Sequence, residues 1–351
     1  MRLLAFCSLL GLVVLAGAFT GTRSRVLAQS SGANGATTPR KWVVPRTEWG
    51  DPDLEGIWPS SDMQGTPLER PASFGTRATL TDEEYAQRLS QGEKQEESDE
   101  VAYVDPKAPH PASTGPPSHW SERNYKPSRQ ASLIVDPANG RLPDMTPEGT
   151  KRQGSIRSTY FYDFPDRVAA HAFNSFDDFG PYDRCISRGL FGSMMPVIYN
   201  NGNAIFQYPG HVVIVNEMIH ETRDIPLDGH PHLSPAIRQY LGDSRGHWEG
   251  DTLVIETTNF NGKVGLTMNG NGTPVSDRMT IVERLTRVAE DTIQYEATVD
   301  DPGTWVRSWT VSFPLHRNPR YGMFEYACHE GNYALRDILS GQRAEDRKGA
   351  K

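Results

Sequence analysis

Beyond Asn203, apolar and polar residues alternate with a period of two. The alternation predicts strands at 204–207, 211–219, 222–226, 252–258, 280–288, 292–299, 305–313 and 324–329. Turns such as Ala289-Glu290-Asp291 and Asp300-Asp301-Pro302-Gly303 are short, so neighbouring strands are expected to pair antiparallel. A mainly β fold follows: an antiparallel up-and-down meander forming a barrel or half-barrel with an interior able to hold a ligand. Between the third and fourth strands, Ser234-Pro235 opens a small helix over 236–241 that Gly242 closes.

The same period assigns faces. In 292–299 the apolar set is Ile293, Tyr295, Ala297 and Val299, which turns Glu296 outward. In 305–313 it is Trp305, Trp309, Val311 and Phe313, and Arg307 shares their face. In 279–287 Glu283 intrudes on Met279, Ile281 and Leu285. An isolated charge inside a barrel costs several kcal/mol, so Glu283 and Arg307 are expected to answer one another or to hold a polar ligand.

Before 203 the pattern is different. Residues 29–202 are rich in Pro, Gly and charge, which predicts a loop-rich segment with a few short helices wrapped on the second half and pinned by Trp42, Trp49 and Trp58. The capping box Thr81-Asp-Glu-Glu84 starts a helix with Tyr85 and Leu89 on one side, ending near Gln91-Gly92 and followed by a solvated charged link over 93–100. A strand at 132–135 runs into the turn 136–140, and Thr146-Pro147-Glu148 starts another helix. Residues 203–340 are then the β-barrel domain, with disorder expected at 29–40 and a flexible tail at 341–351.

Composition adds compartment and partner. Arg2, the apolar run 3–18 and Val26-Leu27-Ala28 before Gln29 read as a signal peptide over 1–28, which makes the mature chain periplasmic or secreted. No later stretch approaches the roughly 20 apolar residues of a membrane span, and Cys7 lies too early for a lipoprotein box. The formal charge of −8 with mixed signs gives no basic stripe, which argues against nucleic acid and leaves a small molecule as the expected partner. Outside the signal only Cys185 and Cys328 remain, and in an oxidising compartment two thiols read as one disulfide.

Several strings occur together: PDLEGIW at 52–58, SLIVDP at 132–137, IPLDG at 225–229, GDSRGHWEGDTLVIETTNFN at 242–261 and YACHEGNY at 326–333. Over nearly all of the mature length the chain resembles a large uncharacterised family of exported bacterial proteins. That resemblance brings no reaction, cofactor or catalytic residue with it. Members of that family often carry Arg at the position of His230, which makes His230 the least suited of the local histidines to a functional role. In architecture the second half is also similar to calycin-like barrels, and fold alone does not decide function.

Three clusters carry candidate chemistry. Around the turn after 211–219, His220 at a barrel mouth is a candidate general base and Glu217 its candidate partner. Strand alternation places the two on opposite faces, and a Glu–Arg pair with Arg223 finishing a strand is the competing account. In 242–249, Asp243, Arg245 and the turn's N–H groups could bind an anionic group while His247 moves a proton, although Asp243, Ser244 and Glu249-Gly250-Asp251 also suit a plain turn into a strand. Around Cys328, His329 could pair with Glu325 or Glu330, or simply pack beside the bridge.

His220 and His232, with His230 and Glu217, could offer ligands to a divalent metal, but His-x-His lacks the spacing of a helix-borne zinc motif and no metal is expected. No Gly-rich phosphate loop or Gly-x-Ser-x-Gly elbow is present, so no nucleotide cofactor is expected either. The sequence thus supports two readings. In one, a hydrolase, lyase or isomerase uses His247 or His220 as base, Glu217 or Glu325 as partner, Arg245 and Arg307 as anchors, and Trp305 and Trp309 as an aromatic wall. In the other, the same groups bind a small, aromatic or acidic molecule without turnover.

Overall fold

The computed structural model describes residues 42–104, 122, 126–153, 173–266 and 273–349. The expected signal peptide and the 29–40 segment lie outside the described residues. The strands are β1 (Gly56–Ile57), β2 (Ile134–Asp136), β3 (Asn203–Tyr208), β4 (His211–Asn216), β5 (Thr222–Pro226) and β6 (Asp243–Glu249), of which β2 to β5 fall where strands are expected and β1 and β6 do not. They continue as β7 (Thr252–Thr258), β8 (Gly265–Leu266), β9 (Thr273–Pro274), β10 (Thr280–Ala289), β11 (Thr292–Asp300) and β12 (Trp309–His316). The fold is mainly β and every strand pairing is antiparallel.

The strands do not run as one meander. They form a four-stranded sheet, β1-β3-β4-β5, and a six-stranded sheet, β2-β12-β11-β10-β7-β6, with β8-β9 as a separate ribbon. The division falls between β5 and β6, where 227–242 makes turns instead of the expected helix at 236–241. No closed barrel is found among the described residues. The loop-rich half also supplies an edge strand to each sheet, β1 to the smaller and β2 to the larger.

One apolar core fills the space between the sheets. Period-two burial turns Ile205, Ile214 and Ile225 of the smaller sheet, and Leu253, Ile255, Ile281, Leu285, Tyr295, Val299, Trp309 and Phe313 of the larger one, into that core. Leu54, Trp58 and Met63 of the wrapping segment join it. Trp58 is wholly buried, donates its indole N–H to the Leu54 carbonyl at 2.8 Å, and lies under the Arg317 guanidinium. Trp42 and Trp49 remain more than a third exposed, so a single tryptophan, not three, anchors this arm in the core.

The strand β6 was expected as a polar loop. Its register with β7 runs from Asp243 opposite Thr258 to Glu249 opposite Thr252, closing on Gly250 with φ +62°. A Cβ on Gly246 would lie 2.6 Å from Leu227 Cδ2 and 2.9 Å from Ile225 Cγ2, so a glycine is what lets β6 approach the β5 side of the core. Gly246→Val is expected to lower stability by about 1–3 kcal/mol through overpacking, read from the urea midpoint.

Four α-helices complete the described chain: α1 (Asp82–Val104), α2 (Pro147–Gln153), α3 (Leu190–Met194) and α4 (Ala334–Gly349). The capping box is formed in both directions, Glu84 N–H to Thr81 Oγ1 at 3.2 Å and Thr81 N–H to Glu84 Oε2 at 2.8 Å. Arg77, followed by that Thr81 N–H, holds the Glu84 carboxyl down to about 2. The helix α1 runs past Gln91-Gly92 through the charged stretch expected as a link, and α4 occupies most of the expected tail.

Candidate functional site

Most of the polar residues singled out from the sequence are held by neighbours that leave them no free chemistry. Glu283 is inside, as the alternation predicts, but its partner is Arg223 of β5. Nη1 and Nη2 reach Oε2 and Oε1 at 2.6 and 3.0 Å, and the Tyr295 hydroxyl donates to Oε1 at 2.8 Å. Arg307 is exposed and pairs with Asp136 at 2.8 Å. The reason is that β12 begins at Trp309, so 305–308 is not extended and the alternation that would aim Arg307 inward does not apply. Arg223 could have been found from Thr222–Pro226, where it shares a face with buried Ile225.

Trp305 and Trp309 meet edge to face with centroids 5.4 Å apart, but both are buried in the core and neither lines the surface cleft described below. On β6, Asp243 accepts from the Leu233 N–H and from Arg245 and contacts His232 Nδ1 at 2.8 Å, so it fastens the 228–233 loop to the hairpin. Those donors hold its carboxyl below the usual range despite burial. Arg245 is spent on Asp243 and Asp228. His247 stands exposed on the outer side of β6, against Glu249 at 3.3 Å. These three residues decorate a sheet edge and do not ring a barrel mouth.

His232 lies between Asp243 and Glu256, two carboxylates on its two ring nitrogens. Among the described residues no group of three or more His, Cys, Asp and Glu is placed to hold a metal. Residues 324–329 are irregular, ending in a turn, instead of a strand, which leaves Glu325 and His329 exposed with no common face to pair on. Cys328 is nevertheless bridged to Cys185, as the sequence predicts. Glu217 is saturated by four donors: the Phe324 N–H, Asn200 Nδ2, the Gly202 N–H and the Tyr321 hydroxyl.

One sequence candidate does open onto a cavity. A surface cleft of about 540 Å³ is lined by Cys185–Ser187, Ile219–Glu221, Arg238–Leu241 and Asn261. Three of those residues hold left-handed backbone without being glycine: Cys185 at φ +55°, Ile219 at +60° and His220 at +48°. Such conformations cost about 1–3 kcal/mol each and are sharpest for a β-branched residue such as Ile219. They bring the turn after β4 and the bridged Cys185 to the same opening, and no period-based reading of the sequence could foresee them.

His220 is exposed in this cleft, and among the described residues none hydrogen-bonds to its ring. Glu221 beside it is buried, accepting from the Arg188 N–H at 3.1 Å and from the Ser193 hydroxyl. Behind the turn, Tyr182 and Ile219 pack with Tyr199, Tyr326 and Cys328. Burial, with Tyr326 beside it, pushes the Tyr199 phenol up to about 12, and burial also lifts Tyr326 and depresses Arg188. This floor is largely aromatic. Arg238 at the rim donates to the Phe260 carbonyl at 3.2 Å and contacts Asp277. Tyr240 is the aromatic side chain on that wall.

Family models, curated proteins and solved structures were all compared with this chain, and none matches it.

Proposed function

We propose that this is an exported protein that binds a small organic molecule in the cleft between the Cys185–Cys328 bridge, the Ile219–His220 turn and Tyr240. The observation that carries the reading is the cleft itself. It joins a titratable ring free to make new bonds, an aromatic side chain and a wall of strained backbone, features that gather where ligands bind. Tyr240 would stack on an aromatic or planar ring, and His220 would meet an acidic or hydroxyl group. The signal-like start and the disulfide support export. The two sheets serve in this reading as a filled half-barrel scaffold with the ligand seated at its edge.

A ligand-shifted melting screen of aromatic acids, phenols and sugar acids tests it. A compound that raises the melting temperature should bind about tenfold or more weakly to His220→Ala and to Tyr240→Ala, and unchanged to His247→Ala. Equal binding to all three variants, or no binder across the set, would refute the reading. A catalytic reading is favoured by the same unpaired imidazole, with His220 as general base; it requires turnover of a bound compound that disappears in His220→Ala while binding persists.

A further inference from the structure

Away from the cleft mouth, one tyrosine hydroxyl meets two carboxyl groups. Tyr321 Oη lies 2.6 Å from Glu217 Oε2 and 2.9 Å from Glu122 Oε1. A phenol has a single proton to donate. With both glutamates ionised, one of these contacts would set a lone pair against a lone pair. Glu217 is equipped as the anion, since its four donors fill the acceptor sites of a carboxylate. Tyr321 apart, the described residues that hydrogen-bond to the Glu122 carboxyl reduce to Asn201, through its Nδ2 at 2.8 Å and its backbone N–H at 3.2 Å, and none of them is a cation.

We propose that Glu122 is a protonated carboxylic acid in the folded protein, donating to Tyr321, which donates in turn to Glu217. The result is an acid–phenol–carboxylate chain that latches the 318–324 turn to the end of β4. The groups facing it are Tyr321 from that turn, Glu217 from beyond β4, and Asn200 and Asn201 ahead of β3. Among the described residues no Arg, Lys or His makes an ion pair with either glutamate. Burial foremost, and the negative charge of Glu217, raise the Glu122 carboxyl against the opposing hydrogen bonds from Asn201 and Tyr321. Burial, then Glu122, holds the Tyr321 phenol far above its ordinary range, so it keeps its proton. The latch is independent of any cleft ligand, yet it fixes both the residue before the Met218–His220 turn and the segment leading to Cys328.

A group whose folded value is raised contributes stability that is complete below its unfolded value, about 4.3 for glutamate, and that fades as pH rises through the folded value. Glu122→Gln supplies an N–H to Tyr321 and a carbonyl to Asn201 without titrating. Urea unfolding of the full chain from about pH 4 to 8 should therefore show the wild-type unfolding constant rising against that of Glu122→Gln, by at most about tenfold per pH unit. Infrared difference spectra between the two should contain a protonated carboxylic C=O band that persists above about pH 4.3. Parallel stability profiles, or a band that titrates at the ordinary value, would overturn the proposal. If Glu122→Gln does not fold, the spectra of wild type and Tyr321→Phe decide: the acid band must move when its acceptor hydroxyl is removed, and an unmoved band refutes the latch.

Discussion

Glu283→Ala is expected to remove about 3–5 kcal/mol of stability, a large share of the roughly 5–15 kcal/mol of an ordinary domain. The loss comes from what is left behind. Arg223 is buried, sits opposite Ile214 in β4, and among the described residues its one direct ion pair is with Glu283. Glu283 itself lies between Ala297 and Ile255 in its sheet, with no water-facing side. Removing the carboxylate strands a guanidinium in the apolar core, with its Nε already lacking a partner, and frees the Tyr295 hydroxyl of its acceptor. Glu283→Leu combined with Arg223→Met should recover most of the loss, because two charges taken out of water repay little of their desolvation. Urea unfolding of the single and double variants measures this. A single variant within about 1 kcal/mol of wild type would mean that the pair is more hydrated than its burial implies.

What was legible in the sequence follows from where local pattern sufficed. The strands β5, β10 and β11 alternate cleanly and were readable almost to the residue, because each buries one face and leaves the other more accessible. The hairpin strand β6 was not readable, because two of its inward positions are the small residues Ser244, bonded to Thr257, and Gly246, where Ile225 and Leu227 come too close for a side chain. Glu283 was recognisable as an inward charge, whereas its partner depended on how two sheets meet, which no single strand records. The cleft was less legible still. Its turn needs left-handed Ile219 and His220, a conformation imposed by the surrounding packing against the intrinsic preference of both residues. The disulfide was the exception at long range, since with two cysteines outside the expected leader the chemistry left one pairing.

Replacing both Cys185 and Cys328 by serine is expected to lower stability by about 3–5 kcal/mol, because the bridge closes a span of 143 residues in the unfolded chain. The chain-entropy account sets that upper figure for a long loop, and part of the loss is local. The 324–333 segment is not a strand, so apart from the bridge it is held by the hydrogen bonds to Glu217, by Tyr326 packing on Tyr182, and by Asn332 against Cys185 Sγ. Without the bridge this segment should open before the sheets do. Denaturation of the double variant should then show a first transition reported by a probe near Tyr326 and a second by Trp58 and Trp309 in the core, where wild type shows one. The cleft wall at Cys185 belongs to the first unit, so a cleft ligand should weaken in the double variant at denaturant concentrations that leave core fluorescence unchanged. A single coincident transition in the variant would show that the segment is held by packing alone and that the bridge acts only on the unfolded chain.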